Sequence, residues 1–254
     1  MKQEHCNRKK LEKKLLALTL VAAMGLTGCG SKQKQADEDT TPVVQAEPTP
    51  NNLQDGEISL PKSISTNPIA GNSTTGDFVY GGDPSVLVDG DTAYLYTGHD
   101  TSTEANAKNK VYIIREYLCY STKDMVNWKS EGSVMTADTS HISWATGSTS
   151  AWASQVMKYK GKYYLYYCTW DRTASGKQSI GVAVSDSPTG QFVDSGRPLV
   201  QGTVTEPQSS NWDDIDPTAW IETDENGEEH RYLAWGNSKF YICELNEDMT
   251  SVKD

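Results

Sequence analysis

Two aspartates stand directly before a proline at the head of a strand-like run. Asp83 lies in the stretch from Tyr80 to His99, YGGDPSVLVDGDTAYLYTGH, and Asp216 lies in DIDPTAW, from Asp214 to Trp220. Proline has no N–H to give a ladder and steers the residue before it away from the α region, so Asp-Pro marks the mouth of a strand rather than its middle. Carboxylates held at strand mouths can take or give protons to a bound substrate. An isolated Asp-Pro is more often an Asx-turn bonding its own backbone. Recurrence at equivalent positions of a repeat, with Ser154 at the middle equivalent, favours chemistry instead. Asp213 and Asp214 are alternatives within the second motif. In an extended chain Asp214 and Asp216 share one side and Asp213 takes the other, which makes Asp214 the closer competitor.

The elements that must hold these aspartates repeat along the chain. Tyr94-Leu95-Tyr96, Tyr164-Leu165-Tyr166 and Tyr232-Leu233-Ala234 each follow a turn: Asp89-Gly90-Asp91, Lys160-Gly161-Lys162, and the longer run from Asp224 to Glu229. A strand precedes each turn (PSVLV, SQVMKY, PTAWIE), and a third strand follows at YLCYST, IGVAVS and FYICEL. Segments ending in Trp128 and Phe192 come next in the first two repeats. Antiparallel meanders of about four strands, repeated with insertions, predict propeller blades; a β-sandwich would give no internal repeat near 70 residues. Trp128, Tyr94 and Tyr164 read as core aromatics.

Composition agrees with an all-β chain. Among 254 residues are 13 Tyr and 7 Trp, and no convincing helix-period stretch follows the N-terminal segment. The net charge is -11 although the first 28 residues are basic, with six Lys/Arg against two Glu, so the remainder carries 15 excess negative charges. That excludes nucleic acid and anionic membrane surfaces as partners of the folded part and leaves neutral substrates open. Cys119, Cys168 and Cys243 show no metal-ligand spacing and no even disulfide framework, and are expected to be buried free thiols.

Residues 1–28 carry a basic start and an apolar segment from Leu15 to Leu26, long enough for a signal-peptide core and short for a membrane span. Leu26-Thr27-Gly28-Cys29 resembles the lipobox of bacterial lipoproteins. The resemblance implies cleavage before Cys29, lipid on its thiol and new N-terminus, and export to the outer face of a bacterial membrane. Residues 29–76 are rich in Ser, Lys, Gln, Asp, Thr, Pro and Asn, too polar to offset their ordering entropy, and are expected to form a disordered tether. The folded domain is placed at 77–254.

That domain resembles glycoside hydrolase family 43, through GGDPSVLV, LYTGHD, YSTKDMVNW, SAWASQV, GKYYLYY, IGVAVSDSPTGQF and DDIDPTAW, in this order and spacing. The resemblance implies a five-bladed β-propeller, of which about the first three blades fall in this chain, with the active site at its axis. It implies hydrolysis of arabinose- or xylose-containing plant polysaccharide with inversion, Asp83 as general base and Asp216 as the aspartate that orients the acid and tunes its pKa. Inverting chemistry requires two carboxyl groups about 6.5–9.5 Å apart, one activating water and one protonated. A third carboxylate raises the acid's pKa by like-charge repulsion. The family's acid is a glutamate of the fourth blade. Neither Glu206 nor Glu222 matches it, so the chain is expected to be an N-terminal part of a longer enzyme, inactive by itself. The competing expectation is a surface glycan-binding lipoprotein that has lost the chemistry.

His99, Asp100, Trp152 and Trp170 are the candidate sugar contacts, by their place at strand ends near the expected axis. Where the family often has Trp-Ala-Pro, this chain has Trp152-Ala153-Ser154, a change in backbone stiffness more than in chemistry. No cofactor is expected from the residues. Parts of the family hold Ca²⁺ near the axis, but no calcium loop of the D-x-[DN]-x-[DN]-G type occurs here.

Overall fold

The computed structural model describes residues 79–101, 103–109, 112–146, 150–203, 205 and 210–254. The expected signal segment, Cys29, the tether and Glu206 lie outside the described residues. Strands β1 (Gly81–Asp89), β2 (Thr92–Asp100), β3 (Ile114–Thr122) and β4 (Trp128–Thr136) form one antiparallel sheet in sequence order, with a short helix α1 (Glu104–Lys108) in the β2–β3 connection. β5 (Gln155–Tyr159), β6 (Lys162–Asp171), β7 (Lys177–Ser185) and β8 (Val193–Asp194) form the second sheet. β9 (Thr218–Thr223), β10 (Glu229–Trp235) and β11 (Tyr241–Glu244) form the third. Each predicted repeat is therefore one meander, and Trp128 and Phe192 stand at the start of its fourth strand. The turns follow the sequence signals. Lys160 and Gly161 both take positive φ, the backbone that a two-residue hairpin with right-handed strand twist requires.

Strand β6, KYYLYYCTWD, has no polar face, because the second sheet is packed on both sides. Tyr163, Leu165 and Tyr167 join a cluster with Tyr96, Tyr117 and Cys119 of the first sheet. Tyr164, Tyr166 and Cys168 join Ala219, Leu233 and Trp235 of the third. Side chains alternate across a strand, so one run of aromatic and apolar residues supplies two cores. Trp128 and Tyr164 are buried and Tyr94 packs against the first cluster. Cys119 and Cys168 are buried and in no disulfide, and Cys243, in no disulfide either, is half-buried.

Polar ties hold the sheets in step. Lys158 and the Tyr163 hydroxyl both donate to the Asp89 carboxylate at the end of β1, at 2.6–2.8 Å. The Tyr159 hydroxyl donates to Glu229 at the start of β10, at 2.6 Å. The first strands are neighbours in turn, β5 lying beside both β1 and β9. Gly181 on β7 is packed between two rings, where an added Cβ would come within 2.5 Å of the Tyr167 ring and 2.7 Å of Trp144. Gly181→Ala is expected to cost about 1–3 kcal/mol through this overpacking, read as a lower urea midpoint at unchanged slope.

Candidate active site

Each first strand enters its sheet through the same irregularity. In the first sheet Gly82 pairs with Gly98 but Ser85 pairs with Tyr96, so Asp83 and Pro84 face Thr97 alone. In the third, Thr218 pairs with Ala234 while the Gly236 amide donates to the Ile215 carbonyl at 2.9 Å, so Asp216 and Pro217 face Trp235. In the second, Gln155 pairs with Tyr166 and the Trp152 amide donates to the Cys168 carbonyl at 3.1 Å, so Ala153 and Ser154 face Tyr167. Two residues against one is a β-bulge, which turns the extra side chain out of the alternation.

This register corrects two expectations. The middle equivalent of Asp83 and Asp216 is Ala153; Ser154 matches the prolines. The aspartates are also not in the extended backbone that a following proline favours: Asp83 has φ of 49° and Asp216 of 56°, whereas Ala153 is not among the positive-φ residues. The bulge imposes that conformation, and Asp is among the few L-residues that accept it.

The same backbone turn separates Asp216 from its neighbours. Asp214 is fully buried, accepting from the Thr205 hydroxyl and the Trp235 indole N–H, both at 2.7 Å. Asp213 is buried and accepts from the Ser210 amide and hydroxyl, both at 3.1 Å. Asp216 is exposed. The expectation that Asp214 and Asp216 share a side fails because the chain is not extended here, and Asp214 and Asp213 are structural acceptors.

Asp83 and Asp216 are both exposed, yet they act on a common interior. Burial raises the Asp216 pKa above the ordinary aspartate value, and the charge of Asp83 raises it further. Solvent reaches one side of Asp216 while protein packs behind the other. Behind it lies Cys168, whose thiol is pushed up to about 12, first by burial and then by the charges of Asp216 and Asp83, against the backbone amides of Asp216 and Trp152. The Tyr117 hydroxyl also feels Asp83 and donates to the Trp152 carbonyl at 2.5 Å. The two predicted carboxylates thus influence one another, and both act on a buried thiol that the sequence had assigned to core alone.

Trp152 and Trp170 come together as well, with a third indole that sequence reasoning missed. Trp212 stacks on Trp152 with ring centroids 4.5 Å apart and 15° between planes, and meets Trp170 edge-on at 5.2 Å. Its signal was an aromatic residue in the polar stretch just ahead of the acidic motif. His99 is buried with Nδ1 2.7 Å from Glu116, and its Nε2 has no partner among the described residues. Asp100 is half-buried at the end of β2, with its amide bonded to the Tyr80 carbonyl. Glu222 is exposed on β9 opposite His230, away from the strand mouth.

Among the described residues, one group of three metal-capable side chains occurs: Asp224, Glu228 and His230 in the β9–β10 turn. It does not suit an axial calcium. It lies at the opposite end of β9 from Asp216, that hard cation prefers oxygen to a His nitrogen, and Asp224 already accepts the Asn226 and Glu228 amides.

The profile of glycosyl hydrolases family 43 matches residues 78–254, and the chain belongs to that family. A xylosidase/arabinosidase of Bacteroides ovatus is 31% identical over 149 residues, 58% of this chain and 42% of that protein. An arabinoxylan arabinofuranohydrolase of Paenibacillus polymyxa is 28% identical over 210 residues, 72% of this chain and 32% of that protein. A solved α-L-arabinofuranosidase from Clostridium thermocellum is 31% identical, with a TM-score of 0.52, covering 68% of this chain and 53% of that one. The chain spans less than half the length of these curated relatives. Its antiparallel sheets are related to those of the family's β-propeller enzymes.

Asp216 and Asp214 should part in stability measurements. The Asp216 pKa is raised in the fold, so its favourable contribution is present below the ordinary value of 3.8 and is lost as pH rises through the folded value. Asp216→Asn accepts positive φ and is expected to melt at or about 1–2 °C above the parent at pH 7, the gain vanishing in acid. Asp214→Ala strands two buried donors and is expected to lose about 2–4 kcal/mol at the same pH.

Proposed function

We propose that this chain carries the base side of an inverting glycoside hydrolase acting on xylose- or arabinose-containing glycans. The observation that carries it is the pair of Asp-Pro bulges, both at positive φ, whose carboxylates interact although they come from different sheets. Backbone held in a sparsely populated region at two matched positions costs about 1–3 kcal/mol each and is characteristic of sites where strain aims a side chain. The names of the relatives from Bacteroides ovatus and Paenibacillus polymyxa supply the substrate class.

In this mechanism Asp83 takes a proton from water as the water oxygen attacks the anomeric carbon. The glycosidic bond breaks on the opposite face, and a further carboxylic acid, a glutamate of a fourth repeat, protonates the leaving oxygen. Asp216 repels negative charge on that acid and keeps it protonated. Trp152 and Trp170 present aromatic surface to the sugar, and His99 and Asp100 form a polar side of the site. Lipid on Cys29, after cleavage of residues 1–28, holds the protein on the outer face of the membrane, with 29–76 as tether.

The test uses the full-length protein. Proton NMR of the first-formed sugar should show inverted anomeric configuration, and Asp83→Asn should lower kcat by about 10²–10⁴-fold with the circular dichroism spectrum unchanged. Equal turnover in Asp83→Asn would remove the base assignment. Glycan binding without any product from the parent would leave a binding protein instead.

A further inference from the structure

We propose that Trp212 is a sugar-stacking platform that binds a pyranose ring of the same glycan, beyond the sugar held at Asp83 and Asp216. The inference rests on the glycan reading above and names the kind of ring the site grips. Trp212 is 40% exposed, an unusual state for an indole whose other contacts are so complete. One face lies flat on Trp152 and it meets Trp170 edge-on, so its contact with the protein is already built.

The segment carrying Trp212 is fixed from both sides. The Trp212 amide donates to the Ser210 hydroxyl at 3.1 Å, and Ser210 is held by the buried Asp213. The Asn211 carbonyl accepts the Gln178 amide of β7 at 3.0 Å. Trp152 beneath it is tied by its indole N–H to the Ser150 hydroxyl at 2.6 Å. A ring immobilised in this way loses little entropy when a ligand stacks on it.

The platform also stands next to the chemistry. Trp212 is four residues ahead of Asp216, Trp170 is two residues beyond Cys168, and the Trp152 amide bonds the Cys168 carbonyl. The Cys168 thiol in turn lies against the Asp216 amide. A ligand that reaches both groups is a chain with a scissile bond at the aspartates and an apolar face a short way off. A pyranose chair with equatorial hydroxyls offers a flat set of axial C–H bonds to an indole. A furanose offers a smaller, puckered face. The occupant is therefore a neutral pyranosyl unit, as in a xylan backbone, and the excess negative charge of the domain does not oppose it.

The experiment measures binding by calorimetry in the full-length protein carrying Asp83→Asn, so that turnover does not consume the ligand. Xylohexaose, arabinohexaose and free xylose are the probes. Adding Trp212→Ala is expected to weaken xylohexaose about tenfold, the equivalent of losing one stacked ring, and Trp212→Phe about threefold. Arabinohexaose and xylose should shift by less than about twofold. Near-ultraviolet circular dichroism checks the fold, and Trp212→Phe, which keeps the stack on Trp152, carries the test if the alanine variant does not fold.

Unchanged xylohexaose binding in folded Trp212 variants would overturn the platform and leave the hydrolase reading intact. Equal weakening of xylohexaose and arabinohexaose would overturn the pyranose assignment, and equal weakening of xylose would mark Trp212 as structural support alone. If the parent binds none of the three probes, the glycan reading itself falls, and the platform with it.

Discussion

The mismatch of two residues against one at the mouth of each first strand is the constraint on which the site depends. A regular ladder would send the side chains at these positions alternately into one sheet interface or the other. The bulge interrupts that alternation at Asp83 and Asp216, turning both to solvent at the mouths of β1 and β9. Two strained L-residues at about 1–3 kcal/mol each are a sizeable fraction of the 5–15 kcal/mol that separates folded from unfolded domains. Such a conformation persists where its surroundings permit no other. Asp216 has that setting: Asp214 is locked by two buried donors, Gly236 holds Ile215, and the Gln155 side chain accepts the Ala219 amide from the neighbouring sheet.

Proline belongs to the same device. A bulge leaves one backbone group without a ladder partner, and proline at Pro84 and Pro217 has no N–H to be stranded there. The middle sheet keeps the bulge with Ala153-Ser154 and does not adopt positive φ at Ala153. Bulge and strain are therefore separable in this chain. The bulge recurs in all three sheets; the left-handed backbone goes with Asp-Pro. Architecture accounts for the first.

Much of the fold was legible because strand signals are local. The turn signals, Lys160-Gly161 among them, and the Tyr-Leu-Tyr spacing located the meanders, and the Asp-Pro pairs marked two of the three bulged strand mouths. Register was not legible, since it depends on which residues pair across strands. Ser154 was matched to Asp83 by position, and only the cross-strand pairing with Tyr166 shows Ala153 to be the counterpart. Asp214 was placed beside Asp216 by assuming an extended chain, an assumption that a single positive φ removes. Trp212 was invisible for a related reason: its setting follows from stacking on a residue sixty positions earlier, and no periodicity encodes that.

Cys168 shows why a core residue and a site residue need not be different things. It completes the packing between the second and third sheets, as an alternating strand position should. It also backs both aspartates, where its charge state matters more than its volume. A carboxylate there would add a third negative charge, and an ammonium would pair with Asp216 and cancel its charge toward neighbouring groups. A thiol pushed up to about 12 stays neutral around pH 7 and fills the space. With neutral packing behind it, Asp216 is left to the two influences that set its raised pKa, burial and the charge of Asp83. The electrostatics of the candidate site therefore begin in the core, one layer beneath the two aspartates.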